Sequence, residues 1–339
     1  MVTMDQYGIS FPGLGIDLGF ISPYVFGTPI RWYGVLIAAG FLLAALYALR
    51  RVNEFDLSED NFLDALLIAT PVAILCARLF YVLFDLADYI DNLVKIFYIW
   101  EGGLAIYGGV IGAVTVSLIY CRVRKIKVGN LLDLTALGLL IGQAVGRWGN
   151  FFNREVFGRE TSNFLRMVLT NPNDPSIRLS VHPLFLYESL WNIAGFVLLH
   201  FRSKKRAFPG EIFLFYLMWY GLGRGIMEGM RDSNYILTVF GTDFRIDRFL
   251  AFLSVAAALS LLIYKRVKLR RAKDEDGALS DAAPPPDSAE ETGDDLPQAI
   301  PELKNEPEES MQKDGQETSE AEPEAEAEAE DDDNKSDGA

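Results

Sequence analysis

Between Gly146 and Gly158 the chain reads Gly-Arg-Trp-Gly-Asn-Phe-Phe-Asn-Arg-Glu-Val-Phe-Gly, directly after the apolar run 131–145. Arg147 is therefore held at or near hydrocarbon depth, which costs roughly 2.5–3.5 kcal/mol at a membrane-helix centre. Asn150, Asn153 and Glu155 follow within two turns. Such groups either satisfy one another or line a wet cavity that binds something polar. A second set, Tyr220, Arg224, Glu228 and Arg231, recurs at i, i+4, i+8 and i+11, one face of a helix. One reading is an internal Arg224–Glu228 pair that only neutralises itself. The other is a binding face, because intramembrane ionisable groups default to function. Together with Arg147 it offers two guanidinium forks, suited to bidentate bonds with a phosphodiester.

Other polar residues in apolar surroundings leave more than one reading open. Arg78 lies in Cys76-Ala-Arg-Leu-Phe-Tyr81, and either Asp85 or Glu101 could pair with it. Arg31-Trp-Tyr-Gly34 reads by composition as an interfacial aromatic belt with a basic anchor. His182 precedes Pro183 and is either a base or a helix-start residue, and His200 reads as interfacial. Cys76 and Cys121 form no CxxC and no metal-ligand spacing, so no zinc site, disulfide framework or other metal is expected.

These residues require helices to position them. Half of the 339 residues are apolar. Runs long enough to cross a bilayer, about 20 residues, fall near 31–49, 62–84, 103–121, 131–148, 184–201, 210–229 and 247–264. The expected fold is all-α and polytopic, with about seven transmembrane helices over residues 31–265. Residues 1–30, rich in Gly, Pro and aromatics, read as an interfacial arm or short helix. The long 149–183 connection reads as an extracytoplasmic lid or binding loop. Glycines at four-residue spacing (Gly138, Gly142 and Gly146; Gly221, Gly225 and Gly229) mark close helix approach.

Charge sets the orientation. The formal net charge of −15 hides a divided chain: residues 274–339 hold 25 acidic and three basic residues, leaving +7 on the rest. Arg50 and Arg51, the cluster from Arg122 to Lys127, Arg202 to Arg206, and Lys265 to Lys273 alternate with residues 1–30, which hold no basic residue, and 86–102, which hold only Lys95; the 149–183 connection has several arginines, but it is long and partly functional. The positive-inside rule then puts the N-terminus outside and the C-terminus in the cytoplasm. Residues 266–339 read as a disordered acidic tail. No cleavable signal peptide is expected.

The block 146–158 resembles the signature of the bacterial prolipoprotein diacylglyceryl transferase family, Gly-Arg-x-Gly-Asn-Phe-x-Asn-x-Glu-x-x-Gly, at all eight fixed positions. Glu101-Gly-Gly-Leu-Ala-Ile-Tyr-Gly-Gly109 resembles the family's Gly-Gly-x-x-x-His-Gly-Gly, with Tyr107 at the histidine position. His182-Pro183 with Tyr187-Glu188 matches its His-Pro-x-x-x-Tyr-Glu element. The resemblance covers roughly residues 30–232.

It implies transfer of the diacylglyceryl group of phosphatidylglycerol to the lipobox cysteine of preprolipoproteins, with release of glycerol 1-phosphate, by a multi-pass protein of the bacterial plasma membrane. No cofactor and no nucleic acid are implied. The partners are the two substrates and membrane lipids. The implied catalytic residues are Arg147, Arg224, Tyr33, Glu155 and Tyr107. Asn150, Asn153, Gly158, Tyr220, Glu228, Arg231, Arg78 and His182, with Arg147, would bind substrate. Tyr107 implies that this position is not an obligatory base, because a phenol of pKa near 10 is a poor base at neutral pH. Rival lipid enzymes fit less well: the metal motif of CDP-alcohol phosphotransferases is absent, and neither histidine begins His-x4-Asp. No internal repeat favours a transporter.

Overall fold

The apolar runs fold as long helices in a computed structural model that describes residues 3–90, 92–99, 102–231, 237–239, 242–244 and 246–281. Glu101 and the acidic stretch from 282 onward lie outside the described residues. The long helices are α1 (Trp32–Arg51), α2 (Glu59–Phe84), α4 (Ile106–Val123), α5 (Val128–Asn153), α6 (Leu184–Ser203), α7 (Glu211–Met227) and α8 (Ile246–Asp281). A four-residue helix, α3 (Ala87–Ile90), lies between α2 and α4. Starts and stops follow local chemistry. Ser58 accepts from the Asn61 N–H at 3.2 Å and caps α2, with Glu59 and Asp60 at its positive end.

Six of these helices are long and apolar enough to cross a membrane. The seventh expected span, α7, has only 17 helical residues before it tightens into a 3₁₀ turn at Glu228–Met230. That is at the short end for a span. The chain is a mostly helical, polytopic membrane protein.

The N-terminal arm is built of strands and two 3₁₀ turns rather than one short helix. It forms a hairpin, β1 (Gly8–Phe11) and β2 (Ile16–Gly19), which joins β3 (Met167–Thr170) and β4 (Arg178–Val181) in one antiparallel sheet of order β2-β1-β3-β4. The long 149–183 connection therefore carries two short strands beside the mostly helical bundle. The reason is period-two patterning: Ile9 and Phe11 of β1 turn inward beside Met167, Leu169 and Val181. The signature's own Phe151 completes this cluster with Phe185 of α6. Arg154, 1% exposed, fastens the arm to the end of α5 by donating to the carbonyls of Tyr7 (2.6 Å), Phe152 (2.8 Å) and Ile21 (2.6 Å). A second hairpin, β5 (Leu237–Val239) with β6 (Thr242–Phe244), precedes α8.

At the opposite end of the helices buried carboxylates fix α7. Asp133 of α5 accepts from the Gly210 N–H at 2.8 Å and the Phe213 N–H at 2.9 Å. Glu211, fully buried, pairs with Arg202 and Arg266, each at 2.6 Å. A carboxylate among backbone N–H groups at a helix start meets the positive end of the helix dipole. This end sets the register in which α7 presents Tyr220 and Arg224.

Candidate active site

Arg147 lies on the last turns of α5 and forms an ion pair with Glu188 of α6. Its other contact, Nη1 to Asn150 Oδ1, is a marginal 3.5 Å. Arg147 and Glu188 line a narrow cleft with Asn192, Trp191, Tyr220 and Arg224. In it α5, α6 and α7 converge, so both candidate phosphate-holding arginines face one space. Arg224 pairs with Glu228 at 3.1 Å, and Arg231 reaches the same carboxylate oxygen at 3.8 Å. The internal salt bridge and the shared cleft thus coexist.

The signature's second half is a turn folded back on its helix. Arg154 and Val156 adopt φ of +51° and +57°, and the Glu155 N–H donates to the Asn150 carbonyl at 3.1 Å. A β-branched residue in this region is strained. The reversal carries the Glu155 carboxylate to the side-chain amides of Asn150 (2.9 Å) and Asn153 (3.4 Å). A chain Arg147–Asn150–Glu155 results. Gly158 then meets two other segments: its N–H donates to the His182 carbonyl at 2.9 Å, and it bridges to Arg231. A Cβ there would sit 2.8 Å from both His182 Cβ and the Met230 carbonyl oxygen, so only glycine fits this crossing.

A second cavity, about 450 Å³, runs along α1 and α5 and reaches Phe62 and Leu66 of α2 and Ile106 of α4. Its wall is aliphatic and aromatic, and Tyr33, Arg147 and Asn150 also line it. Tyr33 enters because Gly149 leaves room: a Cβ on Gly149 would lie 2.5 Å from the Tyr33 ring. Gly40 of α1 meets Gly142 of α5 in the same helix pair, which brings the backbones close. Arg147 lines both the apolar groove and the arginine cleft.

Three residues singled out from the sequence do not join this group. Tyr107 sits in the first turn of α4, 64% exposed, and lines neither cavity, although its neighbour Ile106 borders the groove. Arg78 is buried, but its guanidinium faces the α2–α4 connection. It donates to the carbonyls of Lys95, Ile96, Gly102 and Gly103 at 2.6–3.0 Å and lies 5.2 Å from the Tyr89 ring centroid. The expected partner Asp85 makes no ion pair with it among the described residues. His182 contributes its backbone to Gly158 and Arg159, and its ring Nδ1 lies 3.5 Å from the Tyr187 hydroxyl.

Two features escaped the sequence reading. Glu188, visible only as the end of a Tyr-Glu element, is the partner of Arg147. Trp191 and Trp219, which the sequence did not single out, clamp α6 to α7 beside the cleft. A Trp-x3-Gly repeat on both helices was the available signal.

A bundle of membrane-length helices, with an apolar groove that reaches Arg147 and a cleft that Arg147 shares with Arg224, defines a polytopic membrane protein whose candidate site joins an apolar and a cationic part. Comparison narrows the class. Residues 23–264 match the family model described as prolipoprotein diacylglyceryl transferase. A phosphatidylglycerol–prolipoprotein diacylglyceryl transferase of Listeria welshimeri is 40% identical over 261 residues, 76% of this chain and 90% of that protein. Proteins of the same name from Bacillus velezensis and Pediococcus pentosaceus are 37% identical over 270 residues and 38% over 267, covering 96% and 95% of their own lengths and 78% and 76% of this chain. The chain belongs to the prolipoprotein diacylglyceryl transferase family.

Proposed function

We propose that this protein transfers the sn-1,2-diacylglyceryl group of phosphatidylglycerol to the lipobox cysteine thiol of preprolipoproteins in the bacterial plasma membrane. The observation that carries this reading is the position of Arg147 on both the apolar groove and the cleft of Arg224. Phosphatidylglycerol has the matching order of parts: two acyl chains, a glyceryl carbon, then a phosphodiester.

The reaction forms a bond from the cysteine sulfur to the glyceryl carbon that bears the phosphate. The carbon–oxygen bond breaks, and its electron pair stays on the phosphate as glycerol 1-phosphate departs. The thiol, of ordinary pKa about 8.5, must lose its proton, because the thiolate is the nucleophile. Arg147 and Arg224 hold the phosphate and stabilise the charge that grows on it. Asn150 and Glu155 keep the Arg147 end of the site in place, and Tyr33 closes the groove at the glyceryl carbon. The acyl chains occupy the groove along α1 and α5. The ends of α5 and α7 and the starts of α1 and α6 lie opposite the Arg- and Lys-rich ends, which supports a site that opens toward the extracytoplasmic side.

The test is transfer in vesicles of phosphatidylglycerol with a lipobox peptide, read as thioether-linked product and as released glycerol 1-phosphate. A peptide with serine at the lipobox cysteine should give neither. Product with the wild-type peptide in vesicles lacking phosphatidylglycerol would overturn the donor assignment.

A further inference from the structure

We infer that Glu188 is the counterion that the donor's phosphate displaces from Arg147, and that its return to Arg147 sets how readily the phosphate product leaves. This rests on the reaction proposed above and adds a role for one residue within it.

The arginines of this site are not free to begin with. Arg147 pairs with Glu188, and Arg224 and Arg231 share Glu228. With Glu155, these three arginines and three carboxylates carry no net charge. The two pairings differ in kind. Glu228 sits on the same helical stretch as its arginines, whereas Glu188 reaches Arg147 from another helix. Both partners of that pair are shielded, with side chains 24% and 10% exposed for Arg147 and Glu188. The other contact of Arg147, to Asn150, is 3.5 Å long. Glu188 is therefore the main partner of Arg147, and it lines the same cleft as Arg224.

Charge then changes along the reaction. The donor is a phosphodiester with one negative charge. When the sulfur–carbon bond forms and the carbon–oxygen bond breaks, the phosphate keeps the electron pair and becomes a monoester. Its charge at pH 7 is about −1.5 to −2, since its second pKa is near 6. Two arginines alone would hold this product more tightly than the substrate and stall the enzyme. A carboxylate that competes for Arg147 counters this by repelling the second charge and by taking the guanidinium back as the product leaves. It also weakens donor binding, so removal of its charge should tighten both.

The experiment uses the full-length protein in phosphatidylglycerol nanodiscs, with kcat, KM for the lipid and the inhibition constant of glycerol 1-phosphate measured for wild type, Glu188→Gln and Glu188→Asp. Glutamine still accepts one bond from Arg147 but carries no charge. Glu188→Gln is expected to lower both KM and the glycerol 1-phosphate inhibition constant by about three- to tenfold, with kcat reduced. Glu188→Asp should keep the inhibition constant near wild type. A raised or unchanged KM and inhibition constant in Glu188→Gln would overturn the inference and leave Glu188 a structural partner.

A measurement on wild type alone guards against a poorly folded variant. Glycerol 1-phosphate should inhibit no more than about threefold better than its singly charged methyl ester, because Glu188 opposes the second charge. A preference of about thirtyfold or more would also overturn it. Failure of the wild-type protein to transfer lipid at all would instead refute the reaction itself, a result read before any variant is compared.

Discussion

Trp191 and Trp219 stack 4.3 Å apart between α6 and α7, and each indole N–H donates to the other's backbone carbonyl, at 3.0 and 2.9 Å. Each ring also lies over a glycine one turn along the opposite helix, Trp191 over Gly223 and Trp219 over Gly195. No indole N–H of this pair is left unsatisfied, which matters where no water can reach. Glu188 lies just under one turn before Trp191, and Arg224 directly follows Gly223. The lock therefore spaces the partner of Arg147 against the second arginine.

A Cβ on either Gly195 or Gly223 would lie 2.3 Å from an indole nitrogen. Overpacking of this kind costs about 1–3 kcal/mol. Gly223→Ala is expected to lower the unfolding temperature in detergent and to reduce transfer more than the loss of folded protein explains. Gly195→Ala, farther from Arg224, should destabilise without that additional loss. Equal specific activities in the two folded variants would show that the lock supports the helices but not the spacing of the site.

Arg147 and Arg224 are the second test. If both hold one phosphate, Arg147→Ala and Arg224→Ala should each reduce transfer by about a hundred- to a thousandfold, the range for loss of one pre-placed donor to a developing oxyanion. Lysine should rescue poorly at both positions, since a single ammonium cannot make the planar two-point contact. Membrane insertion, followed by accessibility labelling, should be unchanged. Turnover in Arg147→Lys within about threefold of wild type would argue against bidentate holding.

Arg78 gives a contrasting expectation. Its guanidinium donates to four carbonyls of the segment between α2 and α4 at 3.0 Å or less, so it fastens a loop. Each such charge-assisted bond contributes about 1.5–3 kcal/mol. Arg78→Ala should expose residues 92–99 to protease and lower the yield of folded protein. Transfer per folded molecule should fall by less than about fivefold. A well-folded variant with no activity would restore Arg78 to the head-group site.

What the sequence made legible follows from what periodicity and charge encode. The helices stood out because apolar runs of bilayer length have few other uses, and the pairing of Arg147 with Arg224 could be reasoned from the cost of burying either. The N-terminal strands did not stand out, since the alternation in Gly8–Phe11 rests on two inward residues alone and the arm is fastened from outside by Arg154. Arg154 occupies a variable place in the signature, where its type carries no hint of the three carbonyls it reaches. Glu188 was hidden for a related reason: its meaning is a contact between two helices, and sequence spacing reports only neighbours on one. Arg78 and Arg147 look alike in sequence, each an arginine inside an apolar helix, and only the surrounding backbone carbonyls separate a loop anchor from a site residue.

Tyr107 is the sharpest case, because the family element has histidine there and the sequence invited a role at the substrate. Tyr107 is 64% exposed on the first turn of α4 and lines neither cavity, whereas Ile106, itself 75% exposed, borders the groove. A tyrosine at a helix start near the bilayer edge has a sufficient reason to be there: the ring lies among lipid while the hydroxyl reaches the interface. A hydroxyl bonded to a charged group contributes about 1.5–3 kcal/mol, so its loss would cost roughly ten- to a hundredfold in rate. With Tyr107 outside the lining of the groove and the cleft, Tyr107→Phe is expected to keep transfer within about twofold of wild type and to leave the pH–rate profile in place. Tyr107→His should bring no gain. The three proteins are to be compared in the vesicle assay between pH 6 and 9. A tenfold loss in Tyr107→Phe, or a pH profile that moves with residue 107, would return this side chain to the substrate. It would also mean that the first turn of α4 rotates inward when lipid fills the groove beside Ile106.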